Sequence, residues 1–270
     1  MLVAAFAASA RRWVAFGAAA LACVLLVSAV APRMLGNGHA APGADGPELR
    51  VAGANLKLGG ADPDAVVAIV REHGIDVLCV QELTPGLAAQ LRRSGLERLL
   101  PHGFVRAAPG SGGSAIYSRH PLRPLPGVEP PGYGFVMPRA AIDMPGAVRF
   151  DVASVHANPP TGSAGVEAWK AGLEALPAAS DSAPLSLLVG DFNATLDHAA
   201  FRGLVDRGYV DAGDATGQGL RPTWPRRLRP KVTIDHVLAD ARIAVERYDT
   251  VEVEGGDHRA VVATLRLPGD

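Results

Sequence analysis

Residues 185–190 read LSLLVG and are followed at once by Asp191. A continuous apolar run of this length is the mark of a strand covered on both faces. Such a strand needs a layer packed on either side of it. Helices are available to supply one. Asp62-Pro63 offers an N-cap and an N1 proline, Val66, Val67, Ile69 and Val70 carry helical spacing, and Gly74 stops the run. A second helix opens at Thr84-Pro85 and closes at Gly95, and further helices are expected over 163–176 and 197–207. Strands are expected over 49–56, 76–81, 114–118, 135–144, 148–156, 232–238, 243–253 and 259–267. Helices alternate with strands early and strands dominate late. That order points to an α/β sandwich with helices outside packed sheets.

Composition narrows the class. Hydrophobic residues are 48% and charged residues 20%, so the chain is not disordered. Gly 31 and Pro 22 without a three-residue period exclude collagen and favour a loop-rich globular fold. Cys 2 excludes a disulfide scaffold, with Cys23 in an apolar run and Cys79 in an expected strand. Net charge is −1; Arg11, Arg12 and Arg33 against Asp45 and Glu48 make the first 49 residues positive by one, which leaves −2 for 50–270. No bulk field draws such a domain onto nucleic acid, so polyanion binding must come from a local patch.

The N-terminus reads as an anchor. After a short tail, 1–12, residues 13–31 carry no charge. A helix of that length reaches about 28 Å, close to the hydrocarbon thickness. Arg11 and Arg12 precede it and Arg33 alone follows, which places the N-terminus in the cytoplasm and the domain outside. Ala29-Val30-Ala31 also reads as a signal-peptidase site, although Pro32 stands directly after the cut; cleavage there would secrete the protein. Residues 32–48, rich in Gly, Ala and Pro, read as a flexible linker, and 49–268 as one domain.

Position is the informative property of the polar residues. Asn55, Glu82, His156, Asp191 with Asn193, Asp235 and Asp257-His258 each lie at or beside the end of an expected strand. In layered α/β folds, ligands bind at strand ends. Taken singly, each also reads as a cap, a turn or a satisfied loop histidine; together they point to a site. Carboxylates and an amide are hard ligands that suit Mg²⁺, and no Cys/His cluster has zinc spacing. A Walker loop, G-x-G-x-x-G and G-x-S-x-G are absent. Two histidines, several carboxylates and a hard metal suit phosphoester hydrolysis.

In order, the chain carries Asn55 after the first strand, QE at 81–82, SAIYSRHP at 114–121, VH at 155–156 before NPP, GDFNA at 190–194, IDHVL at 234–238 and GDH at 256–258. In this set it resembles the endonuclease/exonuclease/phosphatase superfamily, which includes pancreatic-type deoxyribonucleases, abasic-site endonucleases, bacterial sphingomyelinases and inositol-polyphosphate 5-phosphatases. The resemblance implies a four-layered α/β sandwich, two packed mixed β-sheets flanked by helices, here preceded by one transmembrane helix. It implies Glu82 as the main Mg²⁺ ligand with Asn55 assisting and Asp257 near the metal or its water, Mn²⁺ being a substitute. Asp191 then orients or deprotonates water, Asn193 holds the phosphate or the water, and His258 bonds a phosphate oxygen with Asp235 behind it. His156 contacts the phosphate or the leaving group.

Two departures count against DNA repair. Lys57 stands where repair nucleases often place an acid, and no aromatic donor aligns in 119–145, Tyr133 being a poor candidate. Arg119, His120 and His236 read as structural. Arg221, Arg226, Arg227, Arg229 and Lys231 surround Trp224 just before Asp235, either as a solvated loop or as a phosphate-gripping rim with a stacking indole. The expected function is a membrane-anchored, Mg²⁺-dependent phosphodiesterase, with nucleic acid favoured over lipid as substrate and no obligate protein partner. A sphingomyelinase-like phospholipase C is the alternative, and a non-catalytic module of the same fold a third.

Overall fold

The structure, a computed structural model, describes residues 2–128, 135, 137–227 and 229–269, with the side chains of 12–28 and 30 in the first helix. The elements run α1 (Leu2–Val30), β1 (Glu48–Asn55), α2 (Pro63–Glu72), β2 (Val77–Gln81), α3 (Pro85–Arg93), α4 (Leu96–Leu99), β3 (His102–Arg106), β4 (Ser114–Ser118), β5 (Leu122–Val128) and β6 (Met137–Ile142). They continue with β7 (Phe150–His156), α5 (Gly162–Ala175), β8 (Leu185–Asp191), α6 (Ala199–Val205), β9 (Tyr209–Asp211), α7 (Ala212–Ala215), β10 (Asp235–Asp240), β11 (Ala244–Glu252) and β12 (Arg259–Arg266).

The strands form two six-stranded sheets, ordered β11-β12-β1-β2-β4-β3 and β5-β6-β7-β8-β10-β9. Each has one parallel pair at its centre, β1 with β2 and β7 with β8. A parallel pair sets two C-terminal ends side by side. Asn55 therefore stands opposite Gln81, and His156 opposite Asp191. β10 runs antiparallel to β8 and enters with Asp235 opposite Asp191.

The sheets are mixed and packed face to face, with helices outside. Leu185, Leu187 and Val189 point into the core between the sheets, while Leu188 points into the core beneath α5 and α6. That two-sided burial is why the run 185–190 is continuously apolar rather than alternating. On the other side, Val66, Val67 and Val70 of α2 with Leu87 and Leu91 of α3 cover the first sheet. Asp62 caps α2 by accepting from Asp64 N at 2.8 Å and Ala65 N at 3.2 Å. A polar bridge joins the sheets just beneath the strand ends: Gln81 Nε2 donates to Ser154 Oγ at 2.9 Å. Gly190, at φ +142, passes this bridge so closely that a Cβ there would lie 2.2 Å from the Val155 carbonyl.

Three strands had no counterpart in the sequence pattern, and β3, β5 and β9 are all short or edge elements. β5 contains Pro124 and Pro126, which argue against a strand; at a sheet edge the missing N–H groups cost no ladder bond.

Residues 33–46, expected as free linker, lie along the domain. Arg33 pairs with Asp197 at 2.9 Å, His39 N donates to Val245 O at 2.9 Å, and Gly46 N donates to Leu267 O at 2.9 Å. Gly36 permits the approach, because a Cβ there would lie 2.2 Å from the Ala215 carbonyl. α1 exposes Trp13, Val14, Phe16, Leu21 and Val24 through Val27. Among the described residues no helix is long and apolar enough to cross a membrane.

Candidate active site

The strand ends converge on one mouth of about 370 Å³ lined by Asn55, Glu82, His156, Asp191, Asn193, Asp257 and His258. Asp235 stands behind His258. All eight residues singled out in the sequence are thus brought together. The backbone at this mouth is held in an uncommon state. Lys57, Leu58, Glu82 and Asn193 are the non-glycine residues with positive φ among the described residues, at 49°, 52°, 56° and 48°, and all four line the mouth. Asn tolerates that region, whereas the other three cost about 1 kcal/mol or more each. Local bonds offset this: Leu58 N donates to Glu82 Oε2 at 2.6 Å, and Asn193 N donates to Asp191 Oδ1 at 2.8 Å.

Side-chain bonds link the two sheets across the mouth. Asn55 Nδ2 donates to Glu82 Oε1 at 3.3 Å and to Asp191 Oδ2 at 3.1 Å, while its Oδ1 accepts from Lys57 N at 3.0 Å. His156 Nε2 lies 3.8 Å from Glu82 Oε1. Asn193 Nδ2 donates to the Ala157 carbonyl at 2.9 Å. His258 Nδ1–H donates to Asp235 Oδ2 at 2.9 Å, and its Nε2 lies 3.9 Å from Asp191 Oδ2.

The two histidines are driven to opposite charge states. Burial alone would lower the His258 pKa, but the Asp235 carboxylate overrides it and raises the ring to about 9. His156 is pushed down to about 3, by burial first and then by the neighbouring His258 charge. At neutral pH His258 is a cation and His156 is neutral. Burial, and then Asp235, push the Asp191 carboxyl up. A carboxylate raised in this way is a stronger base than an ordinary one.

Several contributors were not legible in the sequence. The Phe135 ring stacks on His156 at 4.2 Å and 12°; the sequence marked it only as the first residue of an expected strand over 135–144, whereas the observed strand begins at Met137. Thr223, buried, accepts through Oγ1 from Ile234 N at 3.0 Å and Asp235 N at 3.1 Å. Its carbonyl accepts from Arg259 N at 2.8 Å. Thr223 therefore ties the start of β10 to the residue after His258, and its place beside Trp224 was the one available hint.

The basic patch is smaller than its sequence count. Arg221 pairs with Asp249. Arg226 is buried, with Nη1 donating to the Val253 carbonyl at 2.7 Å and its backbone N donating to the Asp257 carbonyl at 2.7 Å. Arg226 thus braces the turn that carries Asp257 and His258. Arg227, Arg229 and Lys231 remain exposed. Arg119 pairs with Asp76 at 2.9 Å, and His236 bonds Asp211 Oδ2 at 2.6 Å and the Ala194 carbonyl at 2.9 Å; both are structural. Tyr133 lies outside the described residues.

Residues 52–258 match the family model described as "Endonuclease/Exonuclease/phosphatase family". The chain belongs to this family. Endonuclease/exonuclease/phosphatase proteins are hydrolases of phosphoester bonds and typically use divalent metal ions. A Beutenbergia cavernae family member is similar in structure, with 21% identity, a TM-score of 0.64, and coverage of 82% of this chain and 72% of that chain. A D. rerio TDP2 structure with single-strand DNA product has 15% identity, a TM-score of 0.62, and coverage of 81% and 98%. A Leptotrichia buccalis family protein has 14% identity, a TM-score of 0.60, and coverage of 80% and 99%. At these identities the likeness establishes the fold. No curated protein matches the chain in sequence.

Proposed function

We propose that this chain is a membrane-anchored, Mg²⁺-dependent hydrolase of phosphodiester bonds that acts on nucleic acid. The carrying observation is the convergence of Asn55, Glu82, Asp191, Asn193 and Asp257 with two buried histidines on one mouth, His258 being aimed by Asp235 at 2.9 Å. Cationic His258, aimed by Asp235, donates to a non-bridging phosphate oxygen. Asp191 accepts the proton of the attacking water, and Asn193 holds the phosphate or that water. Neutral His156 adds no second charge beside Glu82.

The donor set fits a hard divalent ion. Asn55 Nδ2 lies between Glu82 Oε1 and Asp191 Oδ2, and a half-turn of the amide exchanges this donor for Oδ1. Glu82, Asn55 and Asp257 would hold Mg²⁺, or Mn²⁺ in its place. When bound, the ion offsets charge on the phosphate. Ligand atoms of Asp191, Asp235 and His258 also lie within 4.8 Å of one another. That cluster suits a metal less well, because Asp235 keeps the His258 ring protonated.

Support for nucleic acid comes from Trp224 at the mouth with Arg227 in the adjoining groove, and from the single-strand DNA product in the D. rerio TDP2 structure. Support for anchoring comes from the exposed apolar side chains of α1 behind Arg11-Arg12. The domain then lies outside the cytoplasmic membrane, or is released if the chain is cut after Ala31.

The test is a metal-dependent activity panel on the detergent-solubilised full chain with DNA, RNA, sphingomyelin, phosphoinositides and methyl 4-nitrophenyl phosphate. Hydrolysis is expected in Mg²⁺ or Mn²⁺, with none in EDTA and poor rescue by Zn²⁺. Full activity in EDTA refutes the metal assignment. Cleavage of sphingomyelin with none of DNA or RNA refutes the substrate.

A further inference from the structure

Asn193 is held at φ 48°, a region that asparagine tolerates but does not prefer. It opens the turn 193–198 that leads from β8 into α6. The second sheet fixes the near end of this turn. Phe192 N donates to Ile234 O at 2.9 Å, and His236 bonds the Ala194 carbonyl at 2.9 Å. The far end is tied mainly to itself. Thr195 N donates to His198 Nδ1 at 3.0 Å within the turn, and Arg202 Nη1 of α6 donates to the Leu196 carbonyl at 2.8 Å. Those bonds travel with the turn and α6. A further hold reaches it from 163 residues upstream: Arg33 Nη2 donates to the Leu196 carbonyl at 3.4 Å and pairs with Asp197 Oδ1 at 2.9 Å.

Arg33 has a fixed origin. Its side chain is 17% exposed, and its carbonyl accepts from Gly219 N at 3.1 Å. From there the chain runs as a strap. Gly38 N donates to the Ala215 carbonyl, at the end of α7, at 2.9 Å. His39 and Val245 of β11 exchange both backbone bonds, at 2.9 and 2.8 Å. Gly46 N donates to the carbonyl of Leu267, just beyond β12, at 2.9 Å, and Leu267 N donates to Pro47 O at 3.2 Å. β11 and β12 belong to the first sheet, whereas the turn 193–198 leaves the second. The strap is thus fastened to one sheet and grips the catalytic turn of the other.

We infer that Arg33 is a positioning residue: through Leu196 and Asp197 it holds the turn that presents Asn193 to the phosphate, and the strap 33–47 is part of the catalytic unit. The inference rests on the phosphoester-hydrolase reading of the mouth proposed above, and on neither its nucleic-acid nor its membrane part. Arg33 does not line the mouth, so its effect passes through the turn. It stands two residues beyond Ala31, so a chain cut there keeps the contact.

The test uses the full chain in detergent with Mg²⁺. It reads kcat and KM on methyl 4-nitrophenyl phosphate and the amide hydrogen exchange of the peptide 192–198. Arg33→Ala and Asp197→Ala remove the contact from opposite sides, and Asp197, whose side chain is 71% exposed, can be changed without touching the strap. Each is expected to lower kcat about 5-fold and keep KM within about twofold, because an exposed pair holds a turn weakly and Arg33 does not itself meet the phosphate. The double variant is expected to be no slower than Arg33→Ala, since both changes act through one contact. Exchange of 192–198 is expected to quicken at least about 5-fold in both single variants, with α2 unchanged. Nη2 alone makes both contacts, so Arg33→Lys is expected to keep most of the turnover. Unchanged kcat in both single variants overturns the inference, as does unchanged exchange of 192–198. So does a loss carried by KM alone, additive losses in the double variant, or a lysine variant as slow as the alanine one. Absence of turnover by the wild type refutes the hydrolase reading instead, and exchange of 192–198 then decides whether the strap holds the turn.

Discussion

Asp235→Asn isolates the charge on His258. In the wild type His258 Nδ1 lies 2.9 Å from Asp235 Oδ2 and 3.1 Å from Oδ1, both residues being buried. The ring pKa of about 9 leaves His258 charged at neutral pH. Asparagine keeps the shape and one acceptor but removes the negative charge. Burial then stands against only the Asp191 and Asp257 charges, and the ring falls toward its ordinary value of about 6.5. The loss from about 9 to the ordinary 6.5 corresponds to about 3 kcal/mol of preference for the charged ring, at about 1.4 kcal/mol per unit. The sign follows from the raised pKa: wild-type activity persists as pH rises and falls only near 9. In the variant the alkaline fall moves to the acid side of neutrality, and turnover near neutral pH drops about 10²-fold. The assay is a pH–rate profile on methyl 4-nitrophenyl phosphate in saturating Mg²⁺, paired with an NMR titration of the ring. An unchanged alkaline limb, or turnover within about twofold of wild type, refutes the reasoning.

Thr223→Val removes the acceptor that holds Ile234 N and Asp235 N; turnover is expected to fall about 10-fold with the alkaline limb shifted, and Thr223→Ser to restore both, as read from the same pH–rate profile. Asp211→Asn breaks the buried pair with His236 and is expected to cost about 3 kcal/mol in urea unfolding near pH 6. Burial alone would lower the His236 pKa, but Asp211 raises it overall, so the contribution of this pair is complete below the unfolded value of about 6.5 and is lost as pH rises through the folded value; a wild-type stability advantage that does not shrink at alkaline pH contradicts this. Glu82→Ala, Asp191→Ala and His258→Ala are each expected to lose at least about 10² in turnover without unfolding, as checked by activity and circular dichroism. Cysteines introduced at exposed positions in 50–270 are expected to be labelled from outside intact cells, the native Cys79 being buried; shielding of the introduced thiols overturns the topology.

The site was legible because its residues are short polar groups punctuating apolar runs. Asn55, Glu82, His156 and Asp191 each end a strand whose preceding residues are buried, so a change from apolar to polar marked the strand end and the ligand together. Thr223 and Phe135 escaped because neither is a polar stop at the end of an apolar run: Thr223 lies 32 residues downstream of Asp191, and Phe135, 21 upstream of His156, read only as the start of an expected strand. The patch at 221–231 was overcounted for the converse reason. Charge is visible in sequence, but its consumption by Asp249 and by the Val253 carbonyl is not. Likewise, the Gly-rich composition of 33–46 reads as freedom, whereas at Gly36 the missing Cβ admits close contact.

Local order along the chain determined that this protein is a layered α/β domain with oxygen-rich chemistry at its strand ends, because two-sided burial and abrupt polar stops are properties of single segments. Only the tertiary structure decided how the two sheets share one site. The parallel centres of both sheets bring four strand ends together, and the Gln81–Ser154 bridge joins the sheets beneath them. The opposite charge states of His156 and His258 were decided there as well. They depend on burial and on which carboxylate stands closest, and those are distances between segments that are far apart in sequence.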